Sequence, residues 1–467
     1  MSRHRTPPGP RDTFLLGSLV PYMRDVLGFL TRCAREYGDV VRVRLPGMTA
    51  YLLNHPEHIE YVLRSHPQYF IKDFSTRAVI PVLGQGLLTS EGDFWRRQRR
   101  LSPPAFALQQ VQTYAAVMVD YTEEMLRGWK AGDERDVHHE MTRLTLRIVA
   151  RTLFDADVSG EGRQVSEALD TIMTYFLNPL NMLPFFGWLP TPQAWRYRRA
   201  RRQLNEVVFG LIRRRREEGR DAGDLLSRLL AAQDEDGTRM SDQQLRDESV
   251  TLMLAGHETT ALTLSYCFYL LARHPEADGR LAAELHEVLG GRAPTVADVP
   301  RLRYAEWVVK ESMRLYPPAW SIGREAITDC EIGGYHVPRG TQLWLVQWVV
   351  HRDPRWFDEP KSFRPERWDN DLARRLPRCA YFPFGDGPRI CIGASFAMME
   401  AVLILAAVIQ RFRLTLASDR PLELEPSITL RPKHGIPMRV EGRAVPKSMK
   451  GEIESPGTAT LLADGER

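Results

Sequence analysis

The loop Phe384-Gly-Asp-Gly387-Pro-Arg389-Ile-Cys391-Ile-Gly393 leads directly into an apolar segment with helical spacing. Cys391 therefore stands at a helix N-terminus, where free backbone N–H groups and the positive end of the helix dipole favour a thiolate. Gly387 and Gly393 lack a Cβ, so backbone can approach a sulfur or a flat ligand there. An ordinary buried cysteine is the alternative for Cys391 taken alone. A match to the full FxxGxxxCxG spacing, however, is expected in only about one such chain per thousand.

Helical apolar spacing continues on both sides of this loop and predicts a mainly α-helical chain. Strand signals are fewer: segments 40–45 and 50–53 flank a Pro46-Gly47 turn and predict a β-hairpin. Short strand-like pieces follow in 321–350, 412–416 and 428–440. The clearest predicted helices span 103–129, 139–154, 164–177, 193–218, 242–273, 275–289, 302–316 and 392–411.

The sequence also predicts how the chain is divided. No repeat and no linker interrupts residues 21–442, which predicts one large domain, mainly α with small β-sheets (α+β). Residues 1–20 are basic and proline-rich and predict an extended N-terminal arm. Residues 443–467 are polar and rich in small side chains, which predicts a disordered C-terminal tail.

Charge and cysteine content exclude several classes of protein. The 467 residues carry 63 Lys and Arg against 59 Asp and Glu, and this balance gives no indication of nucleic acid as a partner. The five cysteines include no CxxC pair, which argues against a disulfide framework or a zinc site and favours a reducing compartment. The N-terminus shows neither a signal peptide nor a membrane anchor. We therefore expect a soluble, cytoplasmic protein.

Segment 249–272 is nearly all apolar and long enough to cross a membrane. His257 and Glu258 lie at its centre, however, where an ionisable group in a bilayer is costly. A helix that is apolar on all sides can instead be buried in a large protein. We favour the buried helix and predict no transmembrane segment.

The cysteine loop and four other segments together resemble the cytochrome P-450 family over about residues 20–440. In the order of the family's motifs, these segments are Trp95-Arg-Arg-Gln-Arg99, Ala255-Gly-His-Glu-Thr-Thr260, Glu311-Ser-Met-Arg314 and Phe363-Arg-Pro365-Glu-Arg367-Trp. The resemblance implies the cytochrome P-450 fold, haem b as cofactor, and Cys391 as the axial ligand of the iron. A donating thiolate on haem iron favours O–O bond cleavage.

Glu311 and Arg314 lie three residues apart on a predicted helix, so their side chains share one face and can pair. An exposed ion pair of little energetic value is the plain interpretation. The resemblance implies instead that both are buried and tied to Arg367. In that case they form a structural network that holds the loop presenting Cys391, and breaking it leaves a buried charge unpaired.

Haem carries two propionates that need hydrogen-bond donors. The resemblance assigns this role to Trp95, Arg99, Arg324 and Arg389, since arginine can clamp a carboxylate and an indole N–H can donate to one. Arg324 is supported only by its distance beyond Arg314, and a solvated arginine is its alternative. The resemblance also implies that the cofactor-binding residues include Phe384, Gly387 and Ala255.

The segment around Thr259 is predicted to carry the oxygen chemistry. Ala255 and Gly256 leave room for a diatomic ligand beside the helix. Thr259 and Glu258 form an acid–alcohol pair that can deliver protons with the help of water. A threonine-rich buried helix with a satisfied glutamate is the alternative. We interpret His257 as non-ligating, because the family has no second protein ligand to the iron.

The predicted substrate pocket is mainly apolar, which indicates a lipophilic substrate. Segment 172–190 predicts a mobile apolar lid, and the arginine-rich segment 196–216 that follows is either a membrane-facing surface or a solvated amphipathic helix. The predicted pocket residues are Phe74, Val79, Leu83, Leu87, Thr251, Leu254, Ala319, Trp320, Ile322 and Ile428.

The sequence contains no glycine-rich dinucleotide fingerprint after a strand and no flavin or ferredoxin domain. Electrons must therefore come from a separate protein, and we expect a ferredoxin or flavodoxin-type donor with its reductase. Arg96, Arg97 and Arg100 predict a basic docking patch for this donor. A plain solvated helix face is the alternative.

These observations predict a monomeric monooxygenase that inserts one atom of O2 into a lipophilic molecule, by C–H hydroxylation of a fatty acid or terpenoid. One rival is a haem-thiolate enzyme that uses peroxide without a reductant. The other is a non-catalytic haem sensor or ligand-binding protein. The Glu258–Thr259 pair argues against both rivals, because neither needs a proton relay of this kind.

Overall fold

Helices make up most of the fold, as their apolar spacing predicts. The computed structural model describes residues 5–11, 15–155, 161–177, 191–219, 221–234 and 237–443. In chain order the α-helices are α1 Leu19–Arg24, α2 Val26–Tyr37, α3 Pro56–Glu60, α4 Phe74–Ala78, α5 Ile80–Leu83, α6 Gly92–Leu101, α7 Leu108–Thr113, α8 Ala115–Arg127, α9 Val137–Phe154, α10 Glu161–Leu177, α11 Pro192–Glu218, α12 Leu225–Ala231, α13 Asp242–Arg273, α14 Pro275–Leu289, α15 Arg303–Leu315, α16 Gln347–Val350, α17 Leu372–Arg375 and α18 Ala394–Arg411.

The strands form small sheets at the edges of the helical body. A five-stranded sheet has the order β1-β2-β8-β5-β3, a three-stranded sheet the order β4-β12-β9, and β6-β7 and β10-β11 are two-stranded. The strands are β1 Val40–Leu45, β2 Met48–Leu53, β3 Phe70–Lys72, β4 Glu134–Asp136, β5 Ile322–Ala326, β6 Cys330–Ile332, β7 Tyr335–Val337, β8 Gln342–Leu345, β9 Phe412–Leu416, β10 Leu424–Pro426, β11 Leu430–Pro432 and β12 Pro437–Gly442.

The longest helix, α13, is defined by its own ends and buried through its middle. Ser241 caps its N-terminus in a capping box with Gln244, and the helix ends before Pro275, which cannot continue it. Its side chains between 245 and 271 are buried except at 254–256 and 259. The structure therefore places segment 249–272 in the protein core, and the four less buried positions mark where the helix faces a cavity.

The core is divided between two sets of helices with the sheets beside them. Side chains of α8, α13, α14, α15 and α18 form the largest cluster, and those of α9 to α13 form the second. The five-stranded sheet packs its own apolar clusters against α2 and the segments around it. This arrangement confirms the predicted single domain, mainly α with small β-sheets.

The helix predicted over 103–129 is interrupted. A 3-10 turn spans Pro103–Phe106, and α7 and α8 follow as separate helices. Adjacent prolines explain the first break, because proline lacks the N–H of the helical ladder and disfavours helix in the preceding residue. The other predicted helices begin and end within three residues of the observed ones.

The first and last described stretches of the chain contact the domain. The arm residues 5–11 run along the sheets, with the N–H of Arg42 donating to the carbonyl of Pro8 and that of His336 to Arg5. At the other end, the N–H of Arg443 donates to the carbonyl of Arg411. Residues 444–467 of the expected tail and 178–190 of the expected lid lie outside the described residues.

One helix in the described part of the chain, α18, is long and apolar enough to cross a membrane by length and composition. It is 67% buried inside the fold. It also starts directly after the Cys391 loop and belongs to the largest core cluster. This degree of burial is that of a core helix, so the finding is weak support for a membrane span.

Candidate active site

A cavity of about 1330 Å³ lies between α13, the Cys391 loop and the edge of the five-stranded sheet. Its walls are mostly apolar, and it extends to α1 and the turn between β1 and β2. Cavities for a single small ligand are about 300–1,000 Å³. This one therefore has room for a flat prosthetic group and a substrate together.

Cys391 lies in the wall of this cavity, three residues before α18 begins. Its N–H donates to the carbonyl of Phe384 over 2.9 Å, which closes the loop. Burial raises the pKa of the Cys391 thiol, while the N–H of Gly393 and the Arg99 guanidinium act in the opposite direction. A coordinating metal ion deprotonates a bound thiol outright.

The structure corrects the role expected for Gly387. This residue does not line the cavity, and a Cβ built on it would lie 1.9 Å from the carbonyl oxygen of Leu63. Its φ of +71° also favours glycine. Gly387 therefore lets the Cys391 loop pack against the backbone of residues 61–65, and it does not provide an approach for a cofactor.

Three cations converge at one end of the cavity. Lys72 and Arg324 are opposite each other in the pairing of β3 with β5, and both side chains are buried. Burial and the positive charges of Arg324 and Arg389 lower the pKa of Lys72 well below its usual value. Burial and Arg389 lower the pKa of Arg324 to about 10. Such a cluster needs an anionic partner, because the nearby carboxylates of Asp73 and Glu91 offset only part of the charge.

Arg389 and Trp95 are stacked at the same end. The Arg389 guanidinium lies 4.1 Å from the centre of the Trp95 ring, and it also bonds to Glu91 and to the carbonyl of Ser90. Arg99 lies on the same helix as Trp95, lines the cavity and interacts electrostatically with Cys391. The side chains present thus fit haem: a sulfur ligand stands in the wall and a cationic end suits two propionates.

The opposite wall is the middle of α13. Ala255 and Gly256 are among the few positions of this helix that are not buried, and both line the cavity. The Thr259 hydroxyl, also at the wall, donates to the carbonyl of Ala255 over 2.8 Å. The small side chains leave space beside the helix, and the hydroxyl lies where it can accept a hydrogen bond from a cavity ligand.

Glu258 is buried beside this wall and is ion-paired. Its Oε1 accepts hydrogen bonds from Nε of Arg431 at 2.5 Å and from the Thr429 hydroxyl at 2.7 Å. Its Oε2 is buried without a hydrogen-bond partner among the described residues. Although burial opposes it, the Arg431 charge lowers the pKa of Glu258. Glu258 is therefore held as a carboxylate, bonded as in the alternative of a satisfied glutamate that the sequence left open.

His257 points away from the cavity and is buried. Its Nδ1 lies 3.0 Å from the carbonyl oxygen of Met253, and burial lowers the pKa of its ring. A neutral, internally bonded imidazole agrees with the non-ligating role that the sequence predicts.

The structure brings Glu311 and Arg314 of α15 together with Arg367. Arg314 donates twice to Glu311, at 2.9 and 2.8 Å, and Nε of Arg367 donates to Glu311 at 2.8 Å. The indole N–H of Trp368 and the N–H of Arg364 also donate to Glu311. Glu311 and Arg314 are completely buried. This is the buried network that the resemblance implies, and an exposed ion pair is excluded.

Comparison with known proteins identifies the family. The cytochrome P-450 family profile matches residues 7–438 of the chain. The protein belongs to the cytochrome P-450 family. It is an oxidoreductase of the monooxygenase type with haem iron as cofactor, as the sequence predicts.

Three bacterial relatives are similar to this cytochrome P-450 over most of its length. Cyclooctat-9-en-7-ol 5-monooxygenase of Streptomyces melanosporofaciens is 39% identical, and the alignment covers 87% of this chain and 88% of the relative. Cyclooctatin synthase of the same organism is 38% identical over 92% of each chain. Pentalenene oxygenase of Streptomyces avermitilis is 36% identical over 91% of this chain and 96% of the relative.

Of the residues predicted for the substrate pocket of this cytochrome P-450, Leu83 alone does not line the cavity. Leu83, the last residue of α5, is buried in the second core cluster. Met173 and Phe176, in the described part of the segment expected to form a lid, do line the cavity. The predicted residues found in the wall are Phe74, Val79, Leu87, Thr251, Leu254, Ala319, Trp320, Ile322 and Ile428.

The predicted docking patch needs a correction at Arg97. Arg97 forms an ion pair with Asp234 and its side chain is 21% exposed, so its charge is already used within the protein. Arg96 and Arg100 are 66% and 69% exposed. Both also form ion pairs, Arg96 with Asp93 and Arg100 with Asp234 at 4.0 Å, so these two arginines differ from Arg97 in exposure and not in being unpaired.

The arginine-rich segment 196–216 lies within α11, and its last turn serves internal contacts. Arg215 is buried and pairs with Asp224 at 2.6 Å, and Arg216 pairs with Asp242 at 2.8 Å. Trp195, near the start of α11, is 58% exposed. Contact of this segment with a membrane stays a hypothesis.

Sequence reasoning missed Lys72, Thr429 and Arg431. Lys72 stands in an otherwise apolar strand start, Phe70-Ile71-Lys72, which is an unusual place for a buried lysine. Arg431 follows a pocket residue, Ile428, by three positions. A lysine within an apolar strand could have indicated a buried cation, whereas nothing near Arg431 in the sequence indicated its pairing with Glu258.

Proposed function

We propose that this cytochrome P-450 hydroxylates a terpenoid-like, lipophilic substrate, using haem b, O2 and two electrons from a separate donor. One observation carries the proposal. Cys391 and the Ala255–Thr259 wall of α13 face one mostly apolar cavity, and that cavity exceeds what a cofactor or a substrate alone would need.

A cysteine, three cationic side chains and an indole would hold the cofactor. Cys391 would bind the iron, while Lys72, Arg324 and Arg389 would neutralise the propionates, with Trp95 donating through its indole N–H. When bound, haem supplies an iron centre at which O2 is reduced and its O–O bond is cleaved. The network around Glu311 would keep the Cys391 loop in place.

Protons would reach the oxygen site through Thr259 and Glu258. The Thr259 hydroxyl would hold a water beside Ala255, and Glu258 would resupply the proton to that water through its free Oε2. Most of the cavity wall is apolar, so a defined proton route of this kind would be needed at the oxygen site.

The substrate class rests on the relatives and on the wall. The names of two relatives state an oxygenation of cyclooctat-9-en-7-ol or of pentalenene. The apolar wall of this chain, with Trp320, Phe176 and Ile428, fits a compact hydrocarbon skeleton of the same kind. We place fatty acids second.

We further propose that the donor is a ferredoxin or flavodoxin-type protein with its reductase, which docks near Arg96 and Arg100. The enzyme acts as a cytoplasmic monomer, since its charge balance and its cysteines fit a soluble protein of a reducing compartment.

Turnover by the holoprotein tests the proposal. The holoprotein is mixed with a surrogate ferredoxin and reductase, and cyclooctat-9-en-7-ol, pentalenene and palmitic acid are tried separately as probes. We expect a haem spin-state shift and a hydroxylated product with at least one of the two terpenoids. Product that forms only with added peroxide favours the peroxide-using rival. A spin-state shift without any product under either condition favours the ligand-binding rival.

Replacement of Cys391 tests the assignment of the ligand. Cys391→Ala is expected to lose the thiolate-type absorption of the reduced carbon monoxide complex. Cys379→Ala, which changes a buried cysteine of the same loop region, is the matched control and is expected to keep it. Loss of this absorption in the control alone would show that the ligand is assigned wrongly.

A further inference from the structure

Exposed apolar side chains are concentrated near the N-terminal end of the described chain. Nine large apolar side chains are exposed in the part of the chain that the structure describes, and four of them lie within residues 15–23. They are Leu15, Leu16, Val20 and Met23, with 79%, 44%, 58% and 48% of their surface exposed. Single exposed apolar residues are ordinary on a protein surface, whereas a cluster is typical of a binding surface. We call these four residues the α1 patch.

The segment that carries the α1 patch is anchored on β1, the edge strand of the five-stranded sheet. The N–H of Ser18 donates to the carbonyl of Arg44 over 2.8 Å. A Cβ on Gly17 would lie 2.3 Å from the same carbonyl oxygen, and its φ of +53° also favours glycine. The Tyr22 ring of α1 stacks on the Trp344 ring, with the ring centres 5.5 Å apart. The apolar side chains therefore stand at fixed positions and do not belong to a loose chain end.

Helix α1 is apolar on its outer face as well as on its inner face. Tyr22 packs against the sheet, while Val20 and Met23, three positions apart, share the exposed face. A surface helix of a soluble protein normally turns polar side chains outward. None of the six residues of α1 is buried. The outer face of α1 is thus better suited to apolar surroundings than to water.

The cavity reaches the protein surface beside the α1 patch. Met23 and Arg24 at the end of α1, and Pro46 and Gly47 in the turn between β1 and β2, are exposed and also line the cavity. Residues that meet both conditions border an opening to the outside. Since Met23 belongs to the patch and Val20 lies about one helical turn before it, a molecule that enters here passes apolar side chains.

The charge around the α1 patch is positive. Residues 1–24 contain four arginines and a single aspartate. Arg11 and Arg24 are exposed, and neither forms an ion pair within the described part of the chain. The next acid along the chain, Asp25, is offset by Arg32 at 3.4 Å. Exposed apolar side chains with cations beside them suit anionic lipid, because the apolar groups enter the acyl boundary while the cations meet the phosphates.

We propose that the α1 patch binds reversibly to an anionic phospholipid surface and that the opening of the cavity then faces the lipid, from which a lipophilic substrate enters. A protein partner fits less well. A stable protein interface covers roughly 800 Å² on each partner, and four partly exposed side chains supply only part of this. The entry of substrate rests on the proposed function, whereas the binding to lipid does not.

Sedimentation of the holoprotein with vesicles tests the binding. We expect it to sediment with vesicles of phosphatidylethanolamine and phosphatidylglycerol, and less with phosphatidylcholine alone or at high salt, because surface charges are screened. The double variant Leu15→Ser, Val20→Ser is expected to lower the bound fraction severalfold. Both residues are exposed and neither lines the cavity, so the fold and the haem site stay intact. Ile327→Ser, at an exposed apolar residue directly after β5, is the matched control.

Spin-state titration of the haem with pentalenene tests the entry of substrate. Pentalenene is supplied either dissolved in the anionic vesicles or carried by cyclodextrin in water. With vesicles, the double variant is expected to need severalfold more pentalenene than wild type for half of the shift. With cyclodextrin, the two proteins are expected to need the same amount. A difference of equal size under both conditions, or none under either, would overturn the entry of substrate from lipid.

The remaining outcomes separate this inference from its rivals and from the proposed function. Wild-type holoprotein that does not sediment with anionic vesicles, or a double variant that binds them as wild type does, overturns the lipid contact. Binding that Trp195→Ser loses and the double variant keeps places the contact on α11 instead. A dimer in sedimentation velocity that the double variant abolishes shows that the patch binds a second copy of the chain and overturns the inference. Lipid binding that the double variant loses, together with no spin-state shift by pentalenene under either condition, supports the lipid contact and counts against the proposed substrate class.

Discussion

Two buried glutamates, Glu311 on α15 and Glu258 on α13, differ in how fully they are paired. Glu311 accepts five hydrogen bonds from Arg314, Arg367, Trp368 and the N–H of Arg364. Glu258, on the oxygen side, has one oxygen bonded twice and the other without a partner among the described residues.

This difference corresponds to two kinds of task. A carboxylate with all its acceptor sites used holds its partners in one geometry and has nothing left to exchange, which suits a structural support. A carboxylate with a free oxygen keeps the capacity to bind water or a proton. The Glu311 network is thus fixed in one geometry, whereas Glu258 has one oxygen that is free to bind water or a proton.

The largest expected effect comes from replacing the fully bonded glutamate, Glu311. Glu311→Ala leaves Arg314 buried without its partner, which costs about 3–5 kcal/mol, so we expect little or no haem-loaded protein. The haem content and the reduced carbon monoxide spectrum of the purified protein measure this. Glu306→Ala, an exposed change on the same helix, serves as the control. Normal yields of stable Glu311→Ala holoprotein would make this network dispensable and remove the contrast.

A smaller effect is expected from replacing Thr259, which follows Glu258 on α13. Thr259→Ala removes the hydroxyl beside Ala255 but no buried charge, so the holoprotein should form, bind substrate and consume reductant. Less of that reductant should end as hydroxylated product and more as hydrogen peroxide. Product and peroxide are measured per reductant consumed. Thr263→Ala, one turn further along α13, is the matched control. An unchanged product ratio in Thr259→Ala would mean that protons do not pass through this hydroxyl.

Within α6 the arginines differ in exposure, with Arg97 mostly covered and Arg96 and Arg100 mostly exposed. Reversing Arg96 and Arg100 to Glu should slow electron transfer from an acidic ferredoxin and leave substrate affinity unchanged, because both side chains are exposed. The wild-type rate should fall as salt rises. Arg97→Glu should instead lower stability, since it places a second negative charge against Asp234. Equal effects of all three arginines on the transfer rate would restore the patch as the sequence predicts it.

The smallest expected effect on activity concerns Glu400 on α18, which is also buried. Burial raises its pKa from 4.5 to about 8, against a smaller effect of the nearby Thr260 hydroxyl. The folded state therefore keeps Glu400 protonated where the unfolded chain ionises, so its contribution to stability is full below pH 4.5 and falls as the pH rises to about 8. Glu400→Gln should flatten this fall.

Urea unfolding of both proteins between pH 5 and pH 8 measures the effect, which is at most about 1.4 kcal/mol per pH unit for one group. The advantage of Glu400→Gln over wild type should grow with pH in this window. A constant difference would mean that Glu400 is ionised in the folded protein, like Glu258.

The sequence by itself determined the features that depend on local spacing. Cys391 at the start of α18, Glu311 and Arg314 on one helix face, and the buried middle of α13 all follow from patterns within a few turns of chain. Helix ends were predictable for the same reason, because capping residues and prolines act on their immediate neighbours. The break at Pro103 was also predictable from its neighbours. The prediction of one helix over 103–129 gave more weight to the apolar spacing than to the two prolines.

Only the tertiary structure decided which distant charges meet. Arg431 lies 173 positions from Glu258, and Lys72 meets Arg324 through the pairing of β3 with β5. Asp234 forms an ion pair with Arg97, and Leu83 packs into the core and not against the cavity. Such contacts depend on how strands and loops are placed relative to one another, and a side chain's own neighbours in sequence carry no information about that placement.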